Sequence, residues 1–424
     1  MVALQEYLGF SKYMDPLLNP YTPNAGAPPP LLVGRDDQLS TFDLLLARLS
    51  NGRTEQSMII TGLRGVGKTV LLGEFRKRAL AANWGVVEIE VSKHDDLLFR
   101  RRMASELRRA LLAISPKDRW RDRAVNAAGV LRSFSLSVDP EGTITAGFGV
   151  REIEGQADSG DLSADLTDLI VAIGEAAQEV NRGVVLLLDE VQFLAKSQLE
   201  ALVMALHKSV QRQLPITMVG AGLPQVAELT GEAKSYSERL FKFPNIDNLD
   251  EEDGSLALRQ PAFDEGVVFE QSAIDFAYEA TGGYPYFIQE FGSALWSVAS
   301  NNRVFESDVT AAIPIFEEKL DSSFFRVRID RTTELERAYL RAMAELGPEP
   351  QLAGDVALLL QRTSSQCGPT RSTLVEKGLL YTPTHGFAAF TVPHFDRFMK
   401  RAVPNLDVPA VRVRRANTSG NGGA

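Results

Sequence analysis

The chain has 424 residues, 44% hydrophobic and 24% charged, with a formal net charge of −10, which allows two or three domains with sizeable cores and excludes a polyanion binder held by bulk attraction. Its one cysteine, Cys367, excludes an internal disulfide and a cysteine zinc site, and fits a reducing cytoplasm. No apolar run approaches the ~20 residues of a membrane span, and the first residues, broken by Glu6, Lys12 and Asp15, lack a signal-peptide core, so a cytoplasmic protein without a membrane partner is expected.

In chain order, residues 1–30 end in PNAGAPPP and read as an irregular arm. LLVGRDDQLSTFDLLLARLS has an acidic start and helical spacing. SMIIT reads as a buried strand, KTVLLGEFRKRALAAN as a helix and WGVVEIEVS as a second strand, the opening of a parallel α/β sheet. Leu97 to Ile114 is a strongly basic helix, with Arg100, Arg101, Arg102, Arg108 and Arg109 as either a phosphate grip or a solvated face. VLRSFSLSVDP and TITAGFGVREIEG alternate about the turn DPEG, which predicts a β-hairpin at about 131–155 inserted in the sheet domain. A helix, the strand GVVLLLDE, another helix and the strand PITMVGAG follow. Helices dominate from Glu252 to Leu320.

Gly62-Leu63-Arg64-Gly65-Val66-Gly67-Lys68-Thr69 fits the pattern G-x-x-x-x-G-K-[ST] at every fixed position. Glycines let backbone N–H groups turn inward around phosphates without a Cβ clash. Lys68 reaches the β and γ oxygens, Thr69 ligates Mg²⁺, and the helix beginning there, through Val70, adds its positive end. The predicted cofactors are ATP and Mg²⁺. GVVLLLDE places Asp189 and Glu190 at the C-terminal end of a buried strand, where open α/β sheets hold their ligands. Asp189 would hold Mg²⁺ and Glu190 would orient or deprotonate the attacking water. Gln192 either positions water, senses the γ-phosphate or is a surface polar residue.

VGRDDQL, the DE strand, VGAGLP, SERLFKF and TGGYPYFIQEFG come in the order seen in AAA+/STAND-type ATPases. The resemblance is nearest to archaeal ATPases and Orc/Cdc6 initiators and covers roughly residues 31–400. It implies a P-loop α/β core over 31–250 and a helical lid over 251–330, with Val33 and Gly34 near the adenine. It also implies that Arg239 is either an arginine finger toward a neighbouring copy or an ion-paired surface arginine. Gly283-Tyr284-Pro285 resembles the G-x-P turn through which the lid touches nucleotide, which puts Pro285 at the cofactor, or else it is a plain helix start. Two departures point to a slow switch over a motor: Gly220-Ala221-Gly222 offers no polar sensor, with Thr217 a weak substitute, and YFIQEFGSALW carries no sensor arginine.

Residues 331–424 hold 12 basic and 8 acidic residues, and taking this +4 from the total of −10 leaves −14 on residues 1–330. Within this basic part, three helices, the third (GPTRSTLVEKGLL) with Pro369 near its first turn, and a short hairpin over 331–402 resemble a winged helix-turn-helix; a basic, Gly-rich tail, 403–424, follows. In that family the third helix enters the major groove. Ser364, Ser365, Gln366, Thr370 and Arg371 would then face duplex DNA, with Thr384 and His385 at the wing tip. The alternatives are a signalling or scaffold ATPase whose winged helix or hairpin binds a protein partner, and a helper ATPase for transposition.

Overall fold

The computed structural model describes residues 14–410 apart from 93–94, 234–236 and 301, and gives only the backbone of residues 228, 232 and 233. The chain divides into two compact units between Phe316 and Glu317.

The first unit is built on five parallel strands. Its elements run α1 (Asp36–Ser50), β1 (Ser57–Thr61), α2 (Lys68–Ala81), β2 (Gly85–Glu90), α3 (Asp96–Ile114) and α4 (Asp122–Leu136). Then come α5 (Leu162–Glu179), β3 (Val184–Asp189), α6 (Lys196–Gln211), β4 (Ile216–Gly222), α7 (Val226–Ala233), α8 (Ser237–Leu240) and β5 (Phe241–Lys242). The sheet order is β2-β3-β4-β1-β5. β1, β3 and β4 are buried over nearly their whole length, because helices cover both faces of a parallel sheet and its strands must be apolar throughout. Aspartates cap α3 and α5. Asp95 accepts from Leu98 N at 2.8 Å and Asp161 from Ala164 N at 2.8 Å, each satisfying a donor that the first turn leaves open.

The hairpin expected at about 131–155 is not formed. VLRSFSLS is the end of α4, and the chain from Ser137 to Asp161 is irregular. FSLSV alternates from Phe134 to Val138, but Val130, Leu131 and Phe134 fall on one helical face and are buried. Serines that would sit on the solvent side of a strand are instead turned back into the helix, Ser135 Oγ donating to Leu131 O at 2.7 Å. The basic stripe of α3 then holds the irregular segment. Arg101 Nε donates to Val138 O at 2.7 Å and Arg108 lies 5.3 Å from the Phe148 ring centroid, while from α4 Arg132 donates to Val150 O at 3.0 Å. Arg100 and Arg109 are paired with Asp96 and Glu106, so all five arginines of the stripe have partners within the chain, with Arg102 bonded to Glu90 O.

The helical part expected beyond Glu252 is α9 (Glu251–Asp264), α10 (Gln271–Thr281), α11 (Pro285–Val298) and α12 (Glu306–Lys319), with one parallel strand pair, β6 (Val268–Phe269) and β7 (Arg303–Val304). The described part of the arm, residues 14–30, is irregular except for one 3-10 turn, yet it is stitched to these helices. Tyr21 is buried and its hydroxyl donates to Leu258 O at 2.5 Å; Trp296 Nε1 donates to Asp15 O at 2.8 Å, and Asn19 Nδ2 to Ser293 Oγ at 3.1 Å.

The second unit opens with a π-helical turn, Leu320–Phe325, and α13 (Arg326–Ile329). It continues α14 (Glu334–Leu346), β8 (Gln351–Leu352), α15 (Ala353–Leu359), α16 (Ser364–Glu376), β9 (Leu380–Tyr381), β10 (Phe387–Phe390) and α17 (Phe395–Ala402). The strands form an antiparallel sheet of order β8-β10-β9. Phe325, with ring centroids 5.5 Å from Phe395 and 5.0 Å from Phe398, centres its core. α16 begins five residues before Pro369, not beside it. The capping box of Thr363 and Gln366 starts it earlier, and Pro369 sits inside the helix. Residues 411–424 of the expected tail lie outside the described residues.

Candidate active site

β1 ends at Thr61, and the loop Gly62–Gly67 carries the chain into α2. Its shape demands glycine at two positions. A Cβ on Gly62 would lie 2.4 Å from Ile246 O, and Gly65 has φ +79° with a Cβ that would lie 2.1 Å from the Tyr284 hydroxyl. Lys68 is the first residue of α2 and only 9% exposed. Its ammonium donates to Gly62 O at 2.8 Å and Leu63 O at 2.6 Å, so the cation is held inside the loop. Burial lowers the Lys68 ammonium to about 8, while Glu190 and Asp189 act to raise it and Arg64 to lower it.

The two carboxylates stand at the end of β3, two strands from β1. Thr69 Oγ1 donates to Asp189 Oδ2 at 2.7 Å, which joins the loop to that strand end. Asp189 Oδ1 accepts from Glu190 N at 2.8 Å. Glu190 itself adopts φ +56°, a conformation disfavoured without glycine. Gln192 Nε2 donates to Glu190 Oε2, and Gln192 Oε1 accepts from Leu223 N at 3.2 Å. A buried cation in a loop of backbone N–H groups, at a helix N-terminus, suits a phosphate. The hydroxyl of Thr69 and the carboxylate of Asp189 are hard oxygen donors of the kind Mg²⁺ takes.

Arg35 was not foreseen in the sequence. It is 7% exposed, and its guanidinium donates to Gly34 O at 2.8 Å, Val66 O at 3.1 Å and Asp247 O at 2.8 Å. Val33 and Gly34 are thereby fastened to the phosphate loop by the residue that follows them. Burial pulls the Arg35 guanidinium down from its usual value, and Asp253 and Asp247 oppose that. A charge beside VG was visible in the sequence, but nothing there signalled its burial. Tyr284 is likewise more than the middle of a turn. It is fully buried, and its hydroxyl donates to Arg64 O. Pro285 follows at the first position of α11, so the phosphate loop and the start of that helix meet. Val70 lies half-buried in the first turn of α2.

Two other residues singled out in the sequence stand elsewhere. Thr217 is buried near the start of β4, its hydroxyl 3.1 Å from that of Ser57. Ser57 is five residues upstream of Gly62, about 17 Å along the strand, so Thr217 is no sensor for a ligand at the loop. Arg239 is exposed in α8, and Gln56 Nε2 donates to its carbonyl at 3.0 Å. That places it at the start of β1, about 20 Å from Gly62, too far for one side chain to span.

Residues 31–219 match the family model described as AAA ATPase domain. This region is an AAA ATPase domain. Residues 322–399 match a second model, Domain of unknown function (DUF8462). No curated protein matches the chain. Among solved structures, the Walker-type ATPase PABY2304 of Pyrococcus abyssi aligns with a TM-score of 0.54 and 14% identity, over 87% of this chain and 96% of that one. The Orc1 protein of Aeropyrum pernix, solved in complex with DNA, aligns with a TM-score of 0.43 and 15% identity, over 92% of this chain and 97% of that one. Cdc6p from Pyrobaculum aerophilum aligns with a TM-score of 0.43 and 15% identity, over 92% and 99%. The first of these likenesses shows a shared fold. The fold thus brings the loop from Gly62 to Val70 together with Asp189, Glu190 and Gln192. Among the described residues no helix is long and apolar enough to cross a membrane.

The residues named for DNA contact lie in the second unit. Ser364, Ser365 and Gln366 are exposed at the start of α16, Thr370 and Arg371 are half-buried, and His385 is exposed between β9 and β10. Gln366 Oε1 accepts from Thr363 N at 2.9 Å, and Lys377 Nζ donates to Glu336 Oε2 at 2.7 Å. Part of the polar surface of this helix is therefore engaged within the unit.

Proposed function

We propose that this protein is a slow, Mg²⁺-dependent ATPase that works as a switch, its nucleotide state governing the binding of duplex DNA by its C-terminal unit. The observation that carries the reading is the Thr69–Asp189 bond beside the enclosed Lys68. Lys68 and the loop N–H groups bind the phosphates. Thr69 and Asp189 would hold Mg²⁺, which would supply positive charge to the phosphate oxygens. Glu190 takes the proton of a water whose oxygen bonds the γ-phosphorus while the bond from that phosphorus to the β-phosphate oxygen breaks. Slow turnover follows from Gly220-Ala221-Gly222 at the end of β4 and from an α11 without arginine. Val33, Gly34 and Pro285 would line the base, since Arg35 and Tyr284 bring their neighbours to the loop. Arg239, out of reach of its own loop, would serve a neighbouring copy in a homo-oligomer. A cytoplasmic location agrees with the single, buried Cys367.

The DNA half of the proposal is supported by the order helix, strand, two helices, two strands, which is that of a winged helix. Ser364, Ser365, Gln366, Thr370 and Arg371 would face the groove and His385 the wing. A protein partner for the same unit is favoured by Leu358 and Leu352, 77% and 46% exposed. Binding of the purified protein to random duplex DNA with ATP, ADP and no nucleotide, across a salt series, separates the two. Affinity that falls steeply with salt and differs between ATP and ADP supports the DNA switch. No binding at low salt in any state overturns it and leaves the protein-partner reading.

A further inference from the structure

We propose that Gln192 is a positioning residue for Glu190, and that it replaces the polar side chain missing from the end of β4. The inference rests on the reading of Glu190 as the base that takes the water's proton.

The amide of Gln192 stands between two elements. Its Nε2 donates to Glu190 Oε2, and its Oε1 accepts from Leu223 N at 3.2 Å, one residue past β4. A primary amide is the side chain that donates to a carboxylate with one arm while accepting from an N–H with the other. Turned over, it would set oxygen against carboxylate and N–H against N–H, so both partners fix its orientation. The polar backbone group of Leu223 is thereby relayed across to Glu190.

The glycines of β4 make this possible. A Cβ on Gly222 would lie 2.8 Å from Gln192 Oε1, and one on Gly220 would lie 2.9 Å from Val191 Cγ2. The short turn Val191–Phe193 that carries Gln192 seats against the strand because these side chains are absent. The same feature that removes a sensor from β4 therefore admits the amide that reaches Glu190 from that side. Among the described residues, the other hydrogen bonds to Glu190 are to its backbone, by Asp189 Oδ1 on its N–H and Phe193 N on its carbonyl at 2.9 Å. With the Gln192 bond, one carboxylate oxygen is engaged and the carboxylate plane is fixed; the second oxygen receives the proton. Holding a base within a fraction of an ångström of its working geometry is worth orders of magnitude in rate.

The test uses the full chain, with single-turnover ATP hydrolysis and fluorescent ATP-analogue binding. Gln192→Met keeps the side-chain length and loses both bonds. Gln192→Glu keeps the acceptor for Leu223 N and loses the donor to Glu190. Both should lower kcat by about 10- to 100-fold and leave the analogue Kd within about twofold, since neither change touches the phosphate loop. Adding Gln192→Met to Glu190→Gln should cost no further rate, because a positioning residue has nothing left to position. Unchanged kcat in Gln192→Met, a fall in affinity equal to the fall in rate, or independent losses in the double variant would each overturn the proposal. Hydrolysis that survives Glu190→Gln with Gln192 intact would instead remove the base assignment on which the proposal stands.

Discussion

Thr69 and Asp189, 120 residues apart in the chain, are joined by a 2.7 Å hydrogen bond that closes the phosphate loop onto the end of β3. The bond is exposed, so its loss costs little stability, within about 1 kcal/mol. Its functional cost is larger. Thr69→Val keeps the side-chain shape and removes the hydroxyl. Its ATPase activity should need a roughly tenfold or higher Mg²⁺ concentration for half-maximal rate, because one of two hard donors is gone. A Mg²⁺ titration of the rate, run beside wild type, checks this, and an unshifted titration refutes it.

Lys68 gives a pH prediction whose sign is fixed. Burial lowers its ammonium to about 8 in the free protein. Phosphate binding favours the cation. Affinity for ATP should therefore be flat below about pH 7 and fall above about pH 8, approaching tenfold per pH unit. In Lys68→Arg the guanidinium stays charged throughout, so whatever affinity remains should lose that slope. Lys68→Ala should abolish binding while keeping the fold. Calorimetric ATP titrations from pH 6.5 to 9.5 read all three variants; normal ATP binding by Lys68→Ala would sink the site assignment.

The contact between Gly65 and Tyr284 predicts an asymmetric pair of effects. Gly65→Ala adds a Cβ 2.1 Å from the Tyr284 hydroxyl at φ +79°, and should destabilise the first unit by about 2 kcal/mol or more. Tyr284→Phe removes the bond to Arg64 O while keeping the ring, at a cost of about 1 kcal/mol. Together they should cost less than their sum, since the first atom in the way is gone. All three tryptophans, Trp84, Trp120 and Trp296, lie in the first unit, so urea unfolding followed by tryptophan fluorescence reports on that unit alone.

In the second unit, Glu336 accepts from Lys377 Nζ and from Thr333 N at 2.6 Å, with its side chain 5% exposed. Burial acts to raise its carboxyl, but the Lys377 bond and the Thr333 N–H outweigh burial and hold it below the usual glutamate range. A depressed carboxyl contributes stability above its unfolded pKa and loses it as the pH falls through the lower folded value. Lys377→Met should cost roughly 2 kcal/mol near neutral pH, and the penalty should shrink on acidification below the ordinary glutamate range. Hydrogen exchange of peptides from α14 and α16 measures it; a penalty that grows in acid would contradict the pairing.

The parts legible in the sequence are those whose chemistry is local. The loop from Gly62 to Thr69 and the end of β3 are runs of adjacent residues, and each fixed position has its own steric or electrostatic reason. The expected hairpin failed because VLRSFSLSV mixes two periods: Phe134 to Val138 alternates, while Val130, Leu131 and Phe134 keep helical spacing, and the packing of α4 on α3 and α5 chose between them. Pro369 misled because the capping box of Thr363 and Gln366 ahead of it started the helix earlier. Arg35, Tyr284 and Gln192 were opaque for another reason. Each has a partner that is a backbone carbonyl or N–H group on a distant strand or loop, and such groups leave no mark on composition.

The arm has a consequence for how the chain is made. Asn19 bonds Ser293, 274 positions later. A ribosome adding about 5–20 residues per second reaches that partner roughly 14 to 55 seconds after Asn19 is added. Tyr21 waits 237 positions for Leu258 and Asn19 longer still, so this early-made segment of the first unit is among its last to settle. Segments fused ahead of residue 14 would act on the closing step of assembly, through α11, before they touched the sheet.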